Sequence, residues 1–146
     1  MVVSVSKTDL ARRTREIVEM ALQQSAVLVE SFGEEQVAVV DALDYRLLRA
    51  LARVGTVTRT QPEASAGLDE SEMRQAVARA GGDVQAGWDM AVGAYLRGDI
   101  SLGRAAVLLG LSRFDLARRL NRVGAPPPQA PQGADEVRGD LAALER

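Results

Sequence analysis

Two serines eleven positions apart constrain this chain more than anything else in it. Ser101 opens the run SLGRAAVLL, Ser112 opens RFDLARRLNRV, and Gly110-Leu111 lies between them. Serine at the start of an apolar-periodic run caps a helix, because its hydroxyl accepts from a backbone N–H that the first turn leaves unbonded. Gly110 supplies the positive φ that a tight helix-to-helix turn requires. The pattern therefore predicts a helix-turn-helix over residues 99–122, with Gly98 ending the helix before it. Ala105, Ala106, Leu109, Leu111, Leu116 and Leu120 form its seam, and the small alanines let the two helices cross closely.

The rest of the chain must build a core from small side chains. Of 146 residues 47% are hydrophobic but only 3% are aromatic, which favours closely packed helices and short strands. Val2, Val3 and Val5 read as an opening strand. Ser6 with Asp9 matches a capping box, Thr8 being a second candidate cap, and Leu10, Thr14, Ile17 and Ala21 then recur at helical spacing. Residues 25–32 and 36–41 are two β-rich runs about Gly33-Glu34-Glu35, which predicts a hairpin. A second amphipathic helix carries Leu43, Leu47, Leu51 and Val54 on one face, with Arg46, Arg49 and Arg53 off it. The fold class expected is α+β: a strand-helix-hairpin-helix module over 1–54, a linker with a short helix over 55–83, the helix-turn-helix region over 84–124, and a Pro-rich then acidic tail over 125–146. Within the linker, SEMRQAVARA over 71–80 reads as a helix stopped by Gly81-Gly82. Asp83 then caps a longer helix to Arg97, with Trp88, Ala91, Val92, Tyr95 and Leu96 buried. Gly87 and Gly93 weaken that helix and invite close approach by a neighbour.

Composition excludes several chemistries. Histidine and cysteine are both absent, which removes disulfides, the usual structural zinc sites, thiol nucleophiles and His general bases. The carboxylate clusters Glu34-Glu35, Asp69-Glu70-Glu72 and Asp135-Glu136 fall in turns or exposed helix ends. Gly81-Gly82 lacks the spacing and lysine of a phosphate loop. The expectation is a binding protein and not an enzyme, with no metal and no cofactor. No signal peptide and no apolar run long enough for a membrane span is visible, and a cytoplasmic setting is expected.

Charge is placed unevenly. The net charge is −2, so nucleic-acid binding would have to rest on a local patch. Arg97, Arg104, Arg113, Arg118, Arg119 and Arg122 face only Asp89, Asp99 and Asp115 over residues 84–124. Two basic clusters are candidate DNA contacts. One is Arg113, Arg118, Arg119 and Arg122 on or near the second helix of the turn motif, where early residues Arg113 and Asp115 would face bases. The other is Lys7, Thr8, Arg12, Arg13 and Arg15 at a helix start, where free N–H groups favour phosphate. A solvated helix face, with Glu16 and Glu19 at pairing distance, accounts for the second cluster equally well. Arg119 stands where a DNA-reading motif usually has an apolar residue.

Two family resemblances add to this reading. Val5-Ser6-Lys7-Thr8-Asp9-Leu10-Ala11-Arg12-Arg13, the runs AVLVES and EEQVAVV, and Leu43-Asp44-Tyr45 resemble the N-terminal module of Phd/YefM antitoxins. Ala11, Arg13 and Thr14 depart from that pattern, as does the acidic hairpin tip where a basic one is usual. Tyr95-LRGDISLGRAAVLLGLS is similar to a small prokaryotic, antitoxin-like family with the pattern Y-x-x-G-x-I-S-x-G-x-A-A-x-L-x-G-[LM]-S, whose members are often encoded beside PIN-domain toxins. That resemblance extends weakly into the tail. Together they imply a type II antitoxin that represses its own operon. It would dimerise through the N-terminal module, bind operator DNA, and hold a protein toxin, a PIN-domain ribonuclease being one candidate, through Asp135, Glu136, Val137, Asp140, Leu141 and Leu144. A transcriptional regulator without a toxin partner is the alternative, and an adaptor protein with no DNA role is a third reading.

Overall fold

The computed structural model describes residues 2–23, 26–56 and 67–125. They form an α+β chain that divides into two compact units, Met1–Tyr45 and Arg46–Arg146. Among the described residues, no helix is long and apolar enough to cross a membrane.

The first unit holds a three-stranded sheet in the order β1-β2-β3. Strand β1 (Val3–Ser6) runs into α1 (Lys7–Arg12) and α2 (Thr14–Gln23), followed by β2 (Val27–Ser31) and β3 (Glu34–Val39). β1 pairs parallel with β2, and β2 antiparallel with β3. The register aligns Val3 and Val5 with Val27 and Val29, and these with Val39 and Val37. Alternation then gathers these valines on one face. There Val27 packs with Ile17 and Ala21, and Val5, Leu10, Met20 and Val39 close the cluster.

Two local details differ from the sequence expectation. The first helix is not continuous. Thr14 donates its hydroxyl to the Leu10 carbonyl at 2.6 Å, the acceptor its own N–H would use in an unbroken helix, and Arg13 takes a non-helical conformation (φ −123°, ψ 32°). Such local side-chain bonds compete with helical pairing. The hairpin loop is also Phe32-Gly33, with Glu34 and Glu35 already in β3. Both loop residues have positive φ (57° and 79°), as the two-residue turn matching strand twist demands. A bulge beside Val29/Glu30 absorbs one residue and keeps Val37 on the valine face.

Helix α3 (Ala42–Thr56) crosses the division. It starts at Asp41, whose Oδ1 accepts from the N–H of Leu43 at 2.7 Å. From Arg46 onward it is grouped with the second unit. The reason lies in what α3 touches. Gln85 donates through Nε2 to the Arg46 carbonyl and to Asp89 Oδ1, both at 2.9 Å. Arg53 Nη1 meets Asp89 Oδ2 at 3.0 Å, and Leu47 and Ala50 are buried.

In that unit α4 (Glu70–Arg79), α5 (Gln85–Arg97), α6 (Leu102–Leu108) and α7 (Arg113–Arg122) follow. The capping box of Asp69 and Glu72 opens α4, and Gly81 and Gly82, both at positive φ, stop the chain beyond it. Residues 70–79 thus form the short helix expected within 55–83, packed on α5; residues 57–66 lie outside the described residues. α5 is buried over most of its circumference. Gly87 admits α4: a Cβ there would stand 3.1 Å from Met73 Cε and 3.3 Å from Val77 Cγ2.

Candidate nucleic-acid interface

The helix-turn-helix stands where the serine-glycine pattern puts it. Gly98 ends α5 in the left-handed region (φ 79°). Ser101 Oγ accepts from the Arg104 N–H and Ser112 Oγ from the Asp115 N–H, each at 3.1 Å. Gly110 turns the chain at φ 69°, and the Leu111 N–H closes the first helix on the Ala106 carbonyl at 2.9 Å. Ala105, Ala106, Leu116 and Leu120 are buried at the seam. Leu109 and Leu111 are half-buried.

Burial divides the residues of α7 cleanly. Leu116, Arg119 and Leu120 point inward. Phe114, Arg118 and Asn121 are exposed, with Arg113 and Ala117 half-buried beside them. Spacings of four and three residues place Phe114, Arg118 and Asn121 on one stripe of the helix. Phe114 is 79% exposed, unusual for the largest side chain on its helix. From α6, Arg104 and Val107 are exposed too.

This arrangement reassigns two candidates. Arg119 is only 8% exposed. Its Nε bonds Asp115 Oδ2 at 3.2 Å, so its cation serves the interior and is withdrawn from the basic surface. Asp115, expected to face bases, is engaged in the opposite direction, also holding Arg118 Nη2 through Oδ1 at 2.8 Å. Burial pushes the Asp115 carboxyl up, but the hydrogen bonds and charges of Arg118 and Arg119 outweigh it and hold it below the ordinary aspartate value. A carboxylate depressed in the folded state stabilises fully above its unfolded pKa, near 4, and loses that contribution as pH falls through the folded value. Asp115→Asn is therefore expected to cost about 2 kcal/mol at pH 7, as a lost charge-assisted bond to a buried guanidinium does. The gap to the wild type narrows as pH falls below about 4. Urea melts at pH 7 and pH 3 check this; a gap unchanged between them would sink it.

The other basic cluster belongs to the first unit. Lys7, Thr8, Arg12, Arg13 and Arg15 are all exposed. Arg13 is bonded to Glu16, and Arg15 Nε meets Glu19 at 3.1 Å, so two of the four cations face their own acids. The helix start is occupied as well: Ser6 Oγ accepts from the Asp9 N–H at 3.1 Å and donates to Asp9 Oδ2 at 2.6 Å. The Ser6 hydroxyl and amide hold that carboxyl below its ordinary value, which fixes a negative charge where phosphate would have to dock. In the second unit, Arg104 and Arg113 have no ion-pair partner among the described residues. Arg122 is half-buried at the end of α7.

Sequence reasoning missed Phe114 and Asn121 as members of this face. Their signal was available, since each lies on the side of its helix opposite the apolar seam. The candidate toxin contacts Asp135, Glu136, Val137, Asp140, Leu141 and Leu144 lie outside the described residues. Comparison with protein-family models, with curated proteins and with solved structures returns no match.

Proposed function

We propose that this chain is an antitoxin-type regulator, which grips operator DNA through α6 and α7 and restrains a protein toxin through residues 125–146. One observation carries the DNA half. A helix pair joined at Gly110 turns its apolar seam inward and leaves Phe114, Arg118 and Asn121 on the exposed side of α7, with Arg113 half-buried on the same helix and Arg104 exposed on α6. A second helix of this kind lies in the major groove while cations around it neutralise phosphates. The acid-occupied start of α1 favours this pair over the N-terminal cluster.

Dimerisation falls to the first unit in this reading. β3 is an edge strand, exposed from Glu34 to Ala38, and an unpaired edge invites a second copy. The toxin half rests on the resemblance of residues 95–112 to antitoxin-like proteins and on the acidic, leucine-bearing segment 135–145.

The full chain, tested by gel shift on its upstream DNA and by co-purification with the product of the adjoining gene, decides the matter. A salt-sensitive shift together with co-purification that needs residues 125–146 is expected. A shift without any captured neighbour leaves a regulator with no toxin. Absence of a shift even at low salt overturns the DNA role.

A further inference from the structure

We infer that the Phe114–Arg118–Asn121 stripe of α7 reads base edges in the DNA major groove, recognising a thymine methyl, a guanine and an adenine respectively. The inference rests on the DNA-binding reading above and says which atoms would carry its specificity.

Three observations support it. The stripe is the one side of α7 facing away from the seam, since Leu116, Arg119 and Leu120 take the other. It spans eight residues, seven rises of 1.5 Å or roughly 10 Å, about the length of three base-pair steps. Its helix is cationic: Arg113 has no acidic partner among the described residues, and the nearby carboxylate, Asp115, is already engaged by Arg118 and Arg119. A polyanion suits that setting better than an apolar protein groove does.

The side-chain types match base-edge chemistry. Asparagine offers an acceptor and a donor to adenine N6 and N7, and arginine a fork to guanine O6 and N7. An aromatic ring packs on the C5-methyl of thymine, which gives a physical role to a phenylalanine left 79% in water. Asp115 would act here as a positioning residue. It holds Arg118 through Nη2 alone and so limits the directions in which the rest of the guanidinium can point.

Selection from a randomised duplex pool tests this, using the full chain and the variants Phe114→Ala, Arg118→Ala and Asn121→Ala. All three side chains are exposed, so thermal melts should be nearly unchanged. The wild type is expected to select a defined site. Each variant should lose its preference at a single position — a thymine, a guanine or an adenine in turn — by roughly 5- to 100-fold. Binding of the Phe114 and Asn121 variants to unrelated duplex should change less than about 2-fold. If all three variants select the wild-type sequence, base reading lies elsewhere and the inference falls while DNA binding stands. Uniform weakening on every sequence with a shallower salt dependence would also overturn it, making these backbone contacts. Failure to bind any duplex at low salt removes the DNA role and this inference together.

Discussion

Leu116→Ala should lower the stability of the second unit by about 3 kcal/mol, while Phe114→Ala, two positions earlier, should change it by less than about 0.5 kcal/mol. Leu116 is 1% exposed and sits at the seam of α6 and α7 with Ala105, Ala106 and Leu120. The alanines across the seam have no longer side chain to swing into the gap, so relaxation can recover little of the lost contact. Phe114 buries little and leaves no cavity behind. Trp88, the chain's single tryptophan, is buried in α5 of the same unit and reports the transition by fluorescence. With an ordinary urea dependence, the Leu116 variant's midpoint should fall by about 2 M. Equal midpoints for the two variants would mean that the seam is not where α7 is held.

The contrast between those neighbours shows what could be read before the fold was known. Caps, the Gly110 turn and the apolar stripe are short-range features, and Ser101, Ser112 and Gly98 perform the roles their spacing implies. The hairpin was legible for the same reason, although Phe32 takes the positive φ that a reading centred on Gly33-Glu34-Glu35 did not assign. Long-range placement was not legible. Nothing local announces that β1 docks parallel to β2, or that α3 divides its loyalty at Tyr45/Arg46 through Gln85 and Asp89.

Arg119 is the instructive case for the site. As a cation it was counted with the basic surface. Yet it follows Leu116 by three residues, which puts it on the seam, and Asp115 stands four residues before it at ion-pairing distance. Position outweighed residue type: once an arginine falls on a buried stripe with a carboxylate in reach, burial with that partner satisfies it better than exposure beside other arginines. The same logic turns Phe114 outward, because a helix of this length has one inward side and Leu116, Arg119 and Leu120 fill it.

If the chain binds DNA as proposed, salt dependence decides which unit holds it. Removing two phosphate-contacting cations lowers the log–log salt slope by about 2 and weakens binding on the order of 50-fold at 0.1 M salt, with little effect near 1 M. That outcome is expected for Arg104→Ala with Arg113→Ala. Neither side chain has an ion pair to lose among the described residues, so the folded state should be unaffected. Lys7→Ala with Arg12→Ala makes the comparison pair in the first unit: two exposed cations, neither in an ion pair among the described residues. This pair should leave the slope almost unchanged, because the Asp9 carboxylate occupies the helix start where phosphate would have to sit. Measured on one duplex across a salt series, the two variants have the same change in net charge. A difference between them therefore reports location and not overall electrostatics. If the slope drops for the Lys7 and Arg12 pair instead, the DNA-holding surface moves to the first unit, and the exposed stripe of α7 is left to a protein partner.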